Sequence, residues 1–285
     1  MKPIAAFIMQ GRWQPVVFIV ATTLLPLLAW LGGAALALVT LRRGAADGAL
    51  TLAGAAIVLG ALFGAMGANP MVSVLGLLEY WGPVFVLALV LRSTVSLPLT
   101  VLAGTGMAAV ALLVWHAAVA DPVAFWQGSL EGLLEGEQGS EFIESVLPVL
   151  SGFWLLGLWS VVMVSLLVAR WWQAVLYNPG GFQQEFHGLR LDWRLAMAAL
   201  LIMLGATFTG PGLVYDLSLL VSGMFTLQAL AVAHALRVAN GWHWAMMVPV
   251  YSFLPFLVKL YALLGIADTW FDLRGRFAAG RGNGG

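Results

Sequence analysis

The chain has 285 residues, of which 61% are hydrophobic and only 9% charged, and its formal net charge is zero. Soluble domains carry about a quarter charged residues to face water, so the composition excludes an ordinary soluble globule, and the absence of net positive charge gives nucleic acid nothing to grip. The chain has no cysteine, which excludes disulfides, thiolate catalysis and Cys-ligated metals.

Apolar residues fall in blocks of about 20, the length that crosses a hydrocarbon core. Backbone groups cannot go unpaired in lipid, so such blocks are helices or strands of a closed barrel. Val84–Leu91 and Leu195–Leu204 are apolar on every side, whereas barrel strands alternate. The expected fold is therefore all-α, a polytopic helical membrane bundle of about eight or nine membrane segments, in one integral membrane domain over residues 1–285.

In chain order, residues 1–14, with Lys2, Arg12 and Trp13, read as a short interfacial helix. The basic start, apolar run and Ala35-Leu36-Ala37 also fit a signal peptide, but so many spans follow that an ordinary first segment is favoured. Pro15–Leu41 is interrupted at Pro26 and Gly32-Gly33, fits two short helices, and ends on Arg42-Arg43, a cytoplasmic signal. Ala49–Met66, Met71–Leu91 and Leu97–Ala118 are the next spans. Residues 121–147 form an acidic loop without Lys or Arg, expected outside.

Pro148–Ala169 returns to Arg170. Residues 170–194 read as an interfacial connection, with Arg170, Trp171 and Trp172 as an anchor and Asn178-Pro179-Gly180-Gly181 as a turn. Leu195–Phe208 is short and Leu213–Arg237 long. Ala245–Ile266 is broken at Pro249 and Pro255, and residues 277–285 read as a flexible tail. If the first apolar run is two helices, the basic tail stays on the cytoplasmic side only when the Pro255 run is re-entrant. Leu25-Pro26-Leu27-Leu28 and Leu254-Pro255-Phe256-Leu257 echo each other. Such paired breaks mark binding sites in some transporters, although a chain this rich in leucine produces echoes by chance.

Ionisable groups inside apolar spans are the candidate binding residues. Pro83 is expected to break its helix, and Glu79 precedes it by four residues, so a carboxylate and a carbonyl without its helical donor coincide there. Its neighbours Tyr80 and Trp81 equally fit a headgroup-level position. Lys259 lies inside the last apolar run and is expected either to snorkel or to pair with a carboxylate, Asp216 or Glu79. His116 and His234, near segment ends, read as interfacial. Ser218, Ser222, Thr226, Ala229 and Ala233 share a face suited to close packing, as do Gly60 and Gly64, while Gln228 lies off that stripe with no evident partner. Asp268 and Asp272 are four apart, and a continuous helix brings Asp272 to Arg276. With Trp270 and Arg274 they form a lipid or partner docking end. No phosphate loop, His-Glu-x-x-His motif or nucleophile elbow is present. The chain therefore reads as a non-enzyme without cofactor or metal.

Leu264-Gly265-Ile266-Ala267-Asp268-Thr269-Trp270-Phe271-Asp272-Leu273-Arg274 resembles the closing signature of the YybS-like bacterial membrane proteins. Residues 227–234, 91–97 and 170–182 are similar to the same family. That family is distantly similar to the substrate-binding S components of energy-coupling-factor transporters. The resemblance implies an S-component-like core in a bacterial inner membrane, a small-molecule ligand, and separate coupling subunits as partners beside the lipid bilayer. The alternative is a scaffold in an envelope complex.

Overall fold

The computed structural model describes residues 1–130 and 143–279, and the regular structure of these residues is helical throughout. Glu131, Glu135, Glu137 and Glu141 of the acidic loop, and Arg281 of the tail, lie outside the described residues. Among the described residues five helices are long and apolar enough to cross a membrane, so the chain is a multi-pass membrane protein. The other apolar helices are shorter, which leaves the expected eight or nine membrane segments unconfirmed by length. The chain folds as two compact units, 1–104 with 158–186, and 105–157 with 187–285.

The first unit opens with α1 (Lys2–Met9), α2 (Trp13–Thr23) and α3 (Ala29–Arg43). The interfacial helix expected over 1–14 ends at Met9, and Trp13 starts the next helix. Pro26 has no N–H to give, and a short 3-10 turn at Pro26–Leu28 reverses the chain between α2 and α3. At about 1.5 Å per residue these legs rise only about 16 and 22 Å. Arg43 ties their far ends together, donating to the carbonyls of Gly11 and Met9 at 2.8 Å each. The pair is a half-length hairpin. Residues Ala34–Val39 of α3 are fully buried, which makes it the core helix of this unit.

Helices α4 (Ala45–Ala65) and α5 (Pro70–Thr94) follow. A Cβ on Gly60 would meet Val74 at 2.9 Å, and one on Gly64 would meet Pro70 at 2.9 Å; the small residues let the two helices approach closely. Asn69 caps α5 through its side-chain oxygen. Helix α5 runs on through Pro83, so the break expected there is absent. The remaining helices reaching into this unit are α6 (Leu97–Ala118), α8 (Leu150–Tyr177, helical from Ile143) and α9 (Gly181–His187). Helix α8 continues past Arg170 to Tyr177, replacing the interfacial break expected from residue 170.

In the second unit, α7 (Pro122–Ser129) is capped by Asp121 and lies within the stretch expected to be an acidic loop. Helix α10 (Trp193–Thr209) leads through a Gly-Pro-Gly turn to α11 (Leu213–Ala239), the core helix here. After α11 come α12 (Met247–Phe253), α13 (Val258–Phe271) and α14 (Leu273–Ala279). Residues 277–279 close α14, and the rest of the flexible tail expected over 277–285 lies outside the described residues.

Contacts trace the path of this last segment. Tyr251 meets His234 at 2.8 Å, Val258 accepts from Thr226 at 3.0 Å, and Asp268 meets Gln228 at 3.1 Å. The chain climbs beside α11 from its C-terminal end, turns at Pro255, and descends parallel to it. Gly265 permits the crossing, because any Cβ there would run into the Phe225 carbonyl. This is a second half-length hairpin with a proline at its tip.

Candidate functional site

One end of the second unit gathers polar groups from four helices. Gly212, at φ 137°, turns the chain into α11 and places Asp216 in its first turn. The Asp216 carboxylate is 1% exposed, and its Oδ2 lies 2.9 Å from His116 Nε2 at the end of α6. Its Oδ1 makes no well-formed hydrogen bond and packs against Gly152 near the start of α8. Only glycine fits at 152, because a Cβ would meet the Asp216 carboxylate and, at 2.9 Å, its Cα.

Beside this pair, Ser151 Oγ accepts from Trp115 Nε1 at 3.0 Å and from Trp126 Nε1 at 2.9 Å. The rings of Trp115, Phe125, Trp126 and Trp154 form one cluster, with neighbouring centroids 4.8 to 6.0 Å apart. A buried, half-paired carboxylate next to a neutralisable imidazole can hold a proton or accept from a bound donor. The aromatic rings offer a flat apolar wall and a face for a cation.

The other expected binding residues lie elsewhere. Lys259 is exposed at the start of α13, and its Nζ sits 4.6 Å from the centre of the Tyr215 ring. Within the described residues of the second unit no carboxylate lies within 4.0 Å of it, so the expected ion pair with Asp216 does not form there; Asp216 is taken by His116. Glu79 is exposed on α5 and makes no hydrogen bond or ion pair among the described residues. Its neighbour Tyr80 turns inward instead. The Tyr80 and Ser165 hydroxyls lie 2.5 Å apart, and both reach the Trp30 carbonyl, at 3.0 and 2.9 Å.

The residues expected to dock lipid or partners mostly hold the chain to itself. Arg170 binds Glu185 through both carboxylate oxygens. Trp172 is fully buried, edge-on to Phe18 at 6.2 Å, and is therefore a core residue rather than an anchor. Trp171 and Trp270 are exposed. Asp272 ends α13 in the left-handed region at φ 47°, so the helix does not continue to Arg276. Asp272 faces Arg190 at 3.5 Å instead.

Arg274 folds back. Its Nη2 donates to Asp268 Oδ2 at 2.7 Å and to the Leu189 carbonyl at 2.6 Å, and its Nη1 reaches the His187 carbonyl. Gln228, fully buried, joins the same network. Its Oε1 accepts from the Leu191 N–H at 2.9 Å, and its Nε2 reaches the Gly265 carbonyl, Asp268 Oδ2 and Thr269 Oγ1. Asp268 Oδ1 is buried without a hydrogen-bond partner. Beside it, outside the spans, His187 has its pKa pushed down, first by burial and then by the charges of His234, Arg237 and Arg274.

Among the described residues no three His, Asp or Glu side chains group as metal ligands. Sequence reading missed the roles of His116 and Gln228; for each, the one available signal was a polar side chain close to or inside an apolar run. No family model, curated protein or solved structure matches the chain.

Proposed function

We propose that the chain binds a small solute at the His116–Asp216 end of its second unit and helps to move it across the bilayer, as the substrate-binding subunit of a transporter does. The observation that carries this is the Asp216 carboxylate, buried near one end of a membrane-crossing helix with one oxygen on His116 and the other without a well-formed hydrogen bond. Ionisable groups in such positions are costly and mark solute or proton paths. The Trp115–Trp126–Trp154 cluster supplies the apolar wall that ligand sites have beside a few polar groups.

The arginines give this reading a sidedness. Let α4, α5, α6, α8, α10 and α11 cross, and let the two hairpins enter and leave on one side. Within the second unit Arg194, Arg237 and Arg274 then share a face, as cytoplasmic arginines do. His116 and Asp216 lie toward the other face. The bacterial inner membrane, separate energising subunits and an S-component-like core follow from the resemblance of the 264–274 signature, and complete the proposal of a binder rather than an enzyme. The scaffold alternative draws on exposed Trp171 and Trp270, but indoles at headgroup depth are ordinary anchors.

Native mass spectrometry of the detergent-solubilised protein tests the reading. A non-lipid small molecule should accompany the wild type and be lost from Asp216→Asn at unchanged helicity. A wild type that flies empty, or a variant that keeps the molecule, overturns it.

A further inference from the structure

One end of the first unit holds a cavity of about 200 Å³ where α3, α5, α8 and α9 meet. Its polar lining is Arg92, Arg170, Gln173, Tyr177, Asn178 and Glu185. Helices α5 and α8 are both long and apolar enough to cross a membrane, and Arg92 stands in the last turn of α5. The cavity therefore lies at headgroup depth, where the hydrocarbon ends.

The fold concentrates positive charge there. Arg170, 12% exposed, holds Glu185 through Nε, at 2.9 Å, and Nη2. Arg92 Nη1 donates at 2.5 Å to the Leu41 carbonyl, one of those that the end of α3 leaves without a helical donor. Arg42 lies over the Tyr177 ring, 4.2 Å from its centre. Three guanidinium groups thus surround the cavity with the one carboxylate of Glu185. Each guanidinium has several N–H donors, and Arg170 Nη1 and Arg92 Nε and Nη2 make no hydrogen bond among the described residues. The side chains of Gln173 and Asn178 add neutral amide donors.

Size and surroundings narrow the occupant. The cavity is smaller than the roughly 300–1,000 Å³ of whole small-molecule sites, so it suits a compact anionic group with the rest of its molecule outside. Leu91 and Val95 also line it, and Val95 is exposed, which gives apolar chains a surface to follow into the bilayer.

We infer that this cavity binds the phosphate of an anionic lipid headgroup, with Arg92 and Arg170 as its charged contacts and Gln173 as a neutral donor. The planar fork of arginine meets two phosphate oxygens at once, and basic pockets between membrane helices hold such headgroups. The inference is independent of the solute reading, since every lining residue belongs to the first unit.

Native mass spectrometry of the delipidated protein, titrated with defined lipids, tests it. The wild type should bind phosphatidylglycerol in preference to phosphatidylcholine, whose ammonium the arginines repel. Arg92→Gln should weaken phosphatidylglycerol binding by about fivefold or more, the attraction of one arginine near a headgroup. Gln173→Glu should weaken it too. It removes no hydrogen bond among the described residues and puts a second carboxylate in the cavity, so its melting temperature without lipid should match the wild type and separate lost binding from lost fold. Arg194→Gln, exposed in the second unit, should bind as the wild type does. Equal binding of the two lipids, undiminished binding by Arg92→Gln and Gln173→Glu, or an equal loss in Arg194→Gln overturns the proposal. Inorganic phosphate separates the sources of the anion. It should displace the lipid only weakly, and a cavity that micromolar phosphate fills without lipid would belong to a free phosphate, which overturns the lipid reading.

Discussion

Gln228 Nε2 lies 3.1 Å from Asp268 Oδ2, which joins α11 to the descending leg of the second hairpin through two side chains with no solvent exposure. The same amide binds the Leu191 backbone and the Gly265 carbonyl, so one side chain joins three separate stretches of chain. Buried polar networks of this kind stabilise when complete and are costly when broken.

Replacing Gln228 by Leu keeps the volume and strands the Leu191 N–H. Each buried group left unpaired costs about 1–3 kcal/mol. Thermal unfolding in detergent should shift down by an amount in that range, while Gln228→Glu should be less harmful if it takes up a proton. An unshifted Gln228→Leu would show that the network contributes nothing.

Gly265→Ala places a methyl against backbone atoms of α11, at 3.0 Å from Phe225 C and 3.2 Å from Ala229 N besides the Phe225 carbonyl itself. Backbone cannot rotate away, so the helices must part, at a cost of about 1–3 kcal/mol or more. Gly157, where a Cβ meets nothing within 4 Å, is the control: alanine there should be neutral or stabilise by about 0.5–1 kcal/mol through helix propensity. Equal melting temperatures for the two variants would contradict the close crossing.

His187 provides a pH signature. Its pKa lies below the ordinary 6.5, burial being the larger cause and the neighbouring charges of His234, Arg237 and Arg274 the smaller ones. The unfolded chain therefore takes up a proton more readily than the native one. The stability this group supports is complete above about pH 6.5 and falls as pH drops through the lower native value. Melting temperature should decline on acidification in that window, and His187→Gln should flatten the decline. Superimposable pH profiles would rule the group out.

Arg274→Lys keeps the charge but loses the fork that reaches Asp268 and the Leu189 and His187 carbonyls together. Hydrogen exchange at residues 188–191 should speed up, by tenfold for each 1.4 kcal/mol lost, with the spans unaffected. Exchange unchanged at those amides would mean that another contact holds the segment.

The membrane class was legible from composition alone, and the reversals at Pro26 and Pro255 from proline within apolar runs. Pro83 misled because a proline removes one hydrogen bond but does not by itself end a helix of 25 residues. His116 read as interfacial because its partner lies 100 residues away in the chain. Gln228 looked partnerless for the same reason: helical spacing says which face a side chain occupies but not what arrives there. Its contacts come from residues 191 and 265–269, each 37 to 41 positions distant. Asp272 and Arg276 would pair on a continuous helix, but Asp tolerates the left-handed region, and nothing in the local sequence marks where it adopts it.

The proline-tipped hairpins bear on how such a chain is made. A segment that dips in and returns exports no hydrophilic stretch, so it leaves the parity of crossings unchanged for everything that follows. If sidedness is set this way, deleting residues 1–43 or everything after Ala239 should leave the remaining loops on their original sides. Reporter fusions in the 119–149 connection would read the same compartment in all three chains. The hairpins could then insert late, against helices already in place, and the orientation of the protein would not depend on when they do.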